Sequence, residues 1–181
     1  GAPDVRYLLV LEASTEQGVL SLSQTLQPKV DALVAQHAVD AVELPSRYLP
    51  SVAVQHERQQ KLPDRATLQQ SWHEALQGLP FRAGLFQPFI DDVETARQLP
   101  PLTPERYAQT PLGQRLAAML VKRAGHWLGL GTVSGVHDVA AVQRLGADSG
   151  GTVRLLDLKA ASESLVAAYR TRILQALLAA S

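Results

Sequence analysis

The spacing of apolar residues divides the first 45 residues into a strand, a helix and a second strand. Residues 7–11 and 41–44 are compact apolar runs of strand length. Between them, Ser14 and Gln17 form a capping-box signature that predicts a helix start. Pro28 lies inside this helix, and we expect it to kink the helix or divide it in two. The helix is predicted to bury residues at three- and four-residue spacing, namely Val19, Leu20, Leu22, Leu26, Val30, Leu33 and Val34.

A second unit of the same kind is predicted over residues 124–160. Residues 126–136 alternate apolar with small side chains, as a strand does, and residues 153–158 form the last predicted strand. Asp138 is expected to cap a short helix between them, and Gly146 to end that helix in the left-handed conformation. The predicted buried residues of this helix are Val139, Val142 and Leu145. Two strand–helix–strand units sharing one antiparallel sheet predict an α+β fold with a ferredoxin-like arrangement.

Residues 46–123, between the two units, predict a large helical insertion. Ser51 and Asp64 are expected to cap two of its helices. Threonine–proline pairs at 103–104 and 110–111 start two more, since proline is favoured at the first helical position. The last of these helices is predicted to bury Leu112, Leu116, Met119 and Leu120. We therefore expect a single domain over residues 1–181, which consists of the halves 1–45 and 124–160, the insertion 46–123 and a helix at 161–181.

The predicted C-terminal helix carries apolar residues at helical spacing, at Leu165, Val166, Tyr169, Ile173 and Leu177. From residue 173 onward it is apolar nearly all round, and no glycine, asparagine or proline stops it. Two interpretations fit this pattern. Either the helix leads into a membrane-spanning segment, or it is an ordinary terminal helix that docks on the core.

The composition narrows the classes of function. The chain has 181 residues with 17 Lys and Arg against 17 Asp and Glu, so its formal charge is zero and nucleic-acid binding is not expected. Cysteine is absent, which excludes thiolate nucleophiles, thiolate metal sites and disulfides. No window of 18 apolar residues occurs, and no membrane-spanning helix is predicted within the sequence.

No motif predicts a catalytic, cofactor-binding or metal site. His56 and His73 are each followed by glutamate, but glutamine stands where a zinc protease needs its second histidine. Three glycines lack the spacing of a dinucleotide loop and instead indicate a bulge or a close approach of backbones, namely Gly129, Gly131 and Gly135. Three acidic residues predict an exposed helix face, namely Asp91, Asp92 and Glu94. We expect a protein that is not an enzyme and uses no cofactor.

An apolar and aromatic cluster stands out within the insertion. All three phenylalanines of the chain lie within nine residues, together with Leu79, Leu85 and Ile90, and Trp72 precedes them. One interpretation is that these side chains pin the insertion to the sheet. The other is that they form an apolar surface for an acyl chain or a partner, because such a ligand needs concave apolar surface with few polar groups. The candidate residues for such a surface are Trp72, Phe81, Phe86 and Phe89.

Four segments, in this order along the chain, carry a resemblance to one family. They are SRYLPS at 46–51, PPLTPERYAQTPLGQRL at 100–116, VSGVHD at 133–138, and LLDLKAASESLVAAYRTR at 155–172. Together they resemble the second large extracytoplasmic loop of the bacterial MMPL-type predicted exporters, which belong to the resistance-nodulation-division (RND) superfamily. The opening YLLVLEAS, followed by a long helix, is similar as well. The chain departs from the family pattern at His137, where arginine is expected, and at Pro28.

The resemblance implies a periplasmic, porter-domain-like domain of an inner-membrane, proton-driven exporter of lipids or other hydrophobic molecules. The implied partners are the membrane-embedded remainder of the polypeptide, a hydrophobic or lipid-like cargo and an accessory periplasmic protein. The implied membrane-proximal linker contains Tyr169, Arg170, Arg172, Ile173 and Leu177. The proton-relay carboxylates of that family lie in membrane helices outside this sequence. The alternative from the residues alone is a free-standing soluble ferredoxin-like module that binds an apolar ligand or partner.

Overall fold

The computed structural model describes residues 6–82 and 84–164, in which helices and one antiparallel sheet form an α+β fold. The strands are β1 (Tyr7–Ala13), β2 (Ala41–Glu43), β3 (Leu120–Arg123), β4 (His126–Ser134) and β5 (Val153–Asp157). The helices are α1 (Glu16–Ala35), α2 (Val52–Gln60), α3 (Arg65–Ala75), α4 (Gln87–Gln98), α5 (Pro104–Tyr107), α6 (Pro111–Met119) and α7 (Val139–Ala147). A short 3-10 helix spans Pro45–Arg47, and residues 158–164 are helical.

The sheet has the strand order β2-β4-β1-β5, and every pairing in it is antiparallel. Leu9 of β1 pairs with Gly131 of β4 on one side and with Leu155 of β5 on the other. Helix α1 joins β1 to β2, and helix α7 joins β4 to β5. In both cases another strand lies between the two strands that the helix joins, and β3 pairs with the first residues of β4, on the same edge as β2.

The core lies between one face of the sheet and helices α1 and α7. Every second residue of β1 is buried on this face, and these are Tyr7, Leu9 and Leu11. They pack with the predicted apolar face of α1 and with Val142 and Leu145 of α7. The three- and four-residue spacing in the sequence therefore predicted the buried faces of α1 and α7, whereas the continuous apolar run of β1 did not show which of its residues face the core.

Two glycines of β4 allow helix α1 and the Pro45 turn to approach the sheet closely. A Cβ at Gly129 would lie 2.4 Å from Val19 Cγ1, and a Cβ at Gly131 would lie 2.8 Å from Leu44 Cδ2. The glycines therefore leave room mainly for packed side chains, and a neighbouring backbone atom, the Glu43 carbonyl oxygen at 3.2 Å, is among the nearest atoms at Gly131 alone of the two. A side chain at either position would displace an element of the core.

The opposite face of the sheet is also apolar at its centre. Leu8, Val10, Leu128 and Leu130 are half-buried there and lie outside the core cluster. Val121 and Leu156 are exposed on the flanking strands, at 40% and 38%.

The start of α1 differs from the predicted capping box. Thr15, rather than Ser14, is the N-cap, and its hydroxyl accepts from the Gly18 amide. Gln17 instead accepts a hydrogen bond from the Val52 amide at 2.9 Å, so its side chain holds the start of α2. The expected division of the helix at Pro28 is also wrong, because α1 continues through it as one helix of 20 residues.

Three further expectations are corrected at the end of the insertion and in the second unit. Leu120 does not belong to α6 but begins β3, a strand that the sequence did not predict and that shortens the helical part of the insertion. Leu112 of α6 is exposed, whereas Leu116 and Met119 are buried as expected. Gly146 lies inside α7, and the left-handed glycines come later, at 150 and 151.

Within residues 6–82 and 84–164, no helix is long and apolar enough to cross a membrane. The proposed membrane-proximal residues lie outside the described part of the chain, namely Tyr169, Arg170, Arg172, Ile173 and Leu177.

Candidate functional site

Helices α3 and α4 form a hairpin that carries the aromatic cluster. Asp64 caps α3, and its carboxylate accepts from the Thr67 amide at 2.8 Å. Arg65 of α3 forms an ion pair of 2.7 Å with Asp91 of α4. Both side chains are about half exposed, so this ion pair contributes little to stability. Packing between the apolar faces of the two helices must therefore hold the hairpin together.

The four predicted aromatic residues lie together at the end of this hairpin where the connection joins α3 to α4. The rings of Trp72 and Phe86 are stacked, with centroids 4.1 Å apart and planes inclined by 5°. Phe89 meets Trp72 edge-on at 6.1 Å, and Phe81 meets Phe86 at 6.0 Å and 67°. Aromatic pairs in such geometries gain about 0.5–1.5 kcal/mol beyond the area they bury. The cluster is thus built mainly from its own ring contacts.

The aromatic cluster is separate from the core of the sheet. None of its members belongs to the core cluster, and Phe81 and Phe89 are 51% and 48% exposed. Ile90 is the one buried residue of α4, and it too lies outside the core cluster. The packing of the described residues therefore does not support the interpretation that this cluster pins the insertion to the sheet.

Glutamines of helix α2 join parts of the insertion to one another. Gln55 Nε2 donates to the Leu102 carbonyl at 2.9 Å, and its Oε1 accepts from the Leu102 amide at 2.8 Å. Gln59 Nε2 donates to the carbonyls of Ala96 and Leu99 at 3.1 and 2.7 Å. These bonds tie α2 to the C-terminal end of α4 and to the segment that follows it.

A cavity of about 370 Å³ opens beside the stacked rings. Its apolar walls come from both helices and from the connection between them, and we call them the aromatic cup: Trp72, Leu76, Phe81, Phe86 and Ile90. The volume falls in the lower part of the range of small-molecule sites. Phe89 supports the cup from outside, through its edge contact with Trp72.

The polar groups at the cup are neutral or cationic. They are Gln69, His73, Gln77, Arg82 and Gln87, and no carboxylate lines the cavity among the described residues. Arg82 is exposed, and within the described part of the chain it forms no ion pair. Its charge is therefore directed to solvent or to whatever enters the cup.

Asp91, which contacts the cup residue Gln87, already has hydrogen-bond partners. Asp91 accepts from Arg65 and from Gln87 Nε2, the latter at 3.0 Å. The hydrogen bond from Arg65, followed by that from Gln87, lowers the pKa of the Asp91 carboxyl. This acid thus stays ionised and paired beside the cup rather than in it.

A second hollow lies at one end of the sheet. His126 Nε2 is 3.6 Å from Glu12 Oε1, and Arg154 forms an ion pair with the other oxygen of Glu12. Ser14 lines the same hollow, but no hydrogen bond joins it to His126 within the described residues. Through these contacts Glu12 of β1 joins His126 of β4 to Arg154 of β5.

The remaining charged candidates are exposed pairs. His137 Nε2 lies 2.8 Å from Asp40 Oδ1, and both side chains are more than half exposed. No group of three or more potential metal ligands occurs within residues 6–82 and 84–164. His56 is exposed on α2, and the other histidine of the HE pairs, His73, lines the cup.

Comparisons with known proteins provide no family assignment. No protein-family model matches the chain, and neither the curated proteins nor the solved structures include a match to it.

Proposed function

We propose that this chain is a periplasmic, porter-like domain of an RND/MMPL-type exporter of lipids or other hydrophobic molecules, and that it is not an enzyme. The observation that carries the proposal is the aromatic cup, an apolar cavity outside the core of the fold. In this proposal the cup contacts the apolar part of the cargo on its path out of the membrane.

The exposure of the cup supports a binding role. Leu79, Phe81, Leu85 and Phe89 are each about half exposed around it. Covering apolar surface gains about 25 cal/mol per Å², so a ligand that covered these side chains would gain free energy from surface that the fold leaves in water. Exposed apolar patches rimmed by polar groups are typical of ligand or partner sites.

The strand order supports the proposed ferredoxin-like arrangement. Two strand–helix–strand units, β1-α1-β2 and β4-α7-β5, place their strands in the order β2-β4-β1-β5. This order is the one expected of the split βαβ pattern, in which a strand of one unit lies between the two strands of the other. The insertion, with β3 at its end, separates the two units along the chain.

The helix that begins at residue 158 is the proposed mechanical link to the membrane. Asp157 Oδ1 accepts from the amides of Lys159 and Ala160 at 2.9 and 3.1 Å, and the same carboxylate pairs with Arg6. A tilt of this helix would therefore pull on the β1–β5 edge of the sheet. Tyr169, Arg170 and Arg172 would then lie at the headgroup boundary, and Ile173 and Leu177 would lie beyond it.

The test uses the complete membrane protein in bacterial cells. Cells are loaded with the neutral apolar dye N-phenyl-1-naphthylamine, and its retention is compared for the wild type, Phe86→Ala and the matched exposed-leucine control Leu112→Ala. We expect Phe86→Ala to raise dye retention several-fold at an unchanged protein level in the membrane, with Leu112→Ala equal to the wild type. Equal retention in all three would overturn the proposal.

The alternative is a free-standing module that binds an apolar ligand. It is favoured by the position of the cup on a hairpin that needs no membrane segment to complete it. Alkaline carbonate extraction of cell membranes separates the two proposals. An exporter domain stays with the membrane pellet, whereas a free module is released.

A further inference from the structure

We propose that the aromatic cup binds a single-chain carboxylate amphiphile of the fatty-acid class, with its alkyl chain against the rings and its carboxylate beside Arg82. This inference rests on the proposed function, because it names the ligand class of the same cup.

The charge around the cavity selects an anion. Arg82 lines it without an ionic partner in the described part of the chain, and the other polar lining groups are amides and the His73 imidazole. A cationic head group would meet Arg82 with no carboxylate to compensate for the repulsion. A carboxylate can accept two parallel hydrogen bonds from a guanidinium, which makes arginine the side chain best suited to this head group.

The N-terminus of helix α4 also favours an anionic head group at the cup. Phe86 is the N-cap of α4, and its side chain cannot accept a hydrogen bond from the first turn. Phe86 and Gln87 both line the cavity, so the positive end of the helix dipole lies at the cup. The Gln87 amide already donates to the Gly84 carbonyl and Pro88 has no N–H, so the contribution comes from the dipole and not from free amides at these two positions. The dipole and Arg82 therefore act in the same direction.

The volume and the wall chemistry select a single alkyl chain. A cavity of about 370 Å³ suits one small ligand rather than a two-chain lipid. Its walls combine flat rings with the side chains of Leu76 and Ile90, and these offer contact along an extended alkyl chain.

The experiment follows Trp72 emission in the Trp127→Phe protein, which removes the other tryptophan of the chain. Dodecanoate is titrated against dodecyl maltoside, which has the same alkyl chain and a neutral head, both below their micelle concentrations. Isothermal titration calorimetry on the protein that retains Trp127 gives the same affinities without relying on that substitution. Arg82→Gln is compared with Arg123→Gln, which removes an exposed arginine on β3 far along the chain from the cup.

We expect saturable binding of dodecanoate that Arg82→Gln weakens about tenfold or more, as loss of a charge-assisted hydrogen bond does. Arg123→Gln should leave the affinity for dodecanoate unchanged. Dodecyl maltoside should bind more weakly than dodecanoate, and neither substitution should change its affinity. Equal dodecanoate affinity with and without Arg82 overturns the carboxylate assignment but leaves the apolar cup intact. Failure of both amphiphiles to bind overturns the cup as a ligand site, and the proposed function with it.

Discussion

Gly129 lies in β4 beneath helix α1, and a Cβ there would stand 2.4 Å from Val19 Cγ1. The contact lies in the core, where Val19 is fully buried. We expect Gly129→Ala to destabilise the fold by about 1–3 kcal/mol, as overpacking does. Urea unfolding followed by circular dichroism measures this change.

A double substitution tests whether the contact with Val19 causes the loss of stability in Gly129→Ala. Val19→Ala removes the clashing methyl groups, so Gly129→Ala with Val19→Ala should cost less than the sum of the two single changes, by about 1 kcal/mol or more. The control partner is Val30→Ala, which removes an equally buried valine of the same helix and should add to Gly129→Ala without coupling. Coupling of equal size in both pairs would contradict the account.

The ionisation of Asp157 is expected to make the stability of the fold depend on pH. The hydrogen bond from Arg6, and then that from the Ala160 amide, lowers the pKa of the Asp157 carboxyl. Because the pKa is lower in the folded chain than in the unfolded one, the interaction stabilises the fold above the ordinary aspartate pKa. This contribution is lost as the pH falls through the folded-state value.

Carbon-13 NMR of the carboxyl group tests this prediction. The pKa of Asp157 should lie below the ordinary aspartate range in the wild type and rise toward it in Arg6→Gln. Arg154→Gln is the control, since Arg154 pairs with Glu12 instead. An unchanged titration of Asp157 in Arg6→Gln would show that Arg6 does not hold the carboxylate.

At the scale of single residues, the sequence predicted the N-cap residue of most helices but not that of α1. The side chains of Ser51, Asp64, Thr103, Thr110 and Asp138 cap helices as expected. At the start of α1 two adjacent residues, Ser14 and Thr15, carry a hydroxyl that could cap the helix, and Thr15 is the N-cap. The side chain of Gln17 accepts a hydrogen bond from the first residue of α2 and takes no part in a capping box. That outcome depends on a contact 35 residues away, which no local pattern contains.

At the scale of elements, the insertion depends on helix α2. Gln59 donates to two carbonyls at the end of α4, and Gln55 forms a two-way bond with Leu102. We expect Gln59→Ala to loosen the α3–α4 hairpin while the sheet keeps its stability, because the bonds it removes belong to the insertion alone. Backbone amides of α3 and α4 should exchange with deuterium several-fold faster.

Gln60→Ala is the control for this prediction, since it removes an exposed glutamine from the adjacent position of α2. Exchange in β1 and β4 should be unchanged in both variants. If Gln59→Ala left the exchange of α3 and α4 at the wild-type rate, the hairpin would be held by other contacts.

Strands with a clear apolar pattern were predicted from the sequence, whereas strand β3, which lacks such a pattern, was not. Strands β1, β2, β4 and β5 lie within two residues of their predicted bounds because their apolar pattern is local. Strand β3 has one buried residue, Leu120, followed by three exposed ones. Its conformation comes from pairing with β4, so the sequence pattern extended α6 instead.

At the scale of the whole molecule, two apolar regions are separate. The core cluster joins the sheet to α1 and α7, while the aromatic cup is carried by a hairpin that packs mainly on itself. The grouping of the aromatic residues was predictable, because three of them lie within nine positions of the chain. The presence of Arg82 at the cavity could not be predicted from the sequence, because it depends on the path of the connection between α3 and α4.

The central claim is that the aromatic cup binds an apolar ligand and does not belong to the folding core. The most direct test measures N-phenyl-1-naphthylamine binding and the free energy of unfolding on the same samples of Phe86→Ala. Leu116→Ala, at a core position that is 1% exposed, is the benchmark and should lose about 2–5 kcal/mol. We predict that Phe86→Ala loses about 2 kcal/mol or less of global stability, mainly from its two ring contacts, together with most of its dye binding. A loss of about 3 kcal/mol or more, with dye binding no different from that of the wild type, would place the cluster in the core and contradict the account.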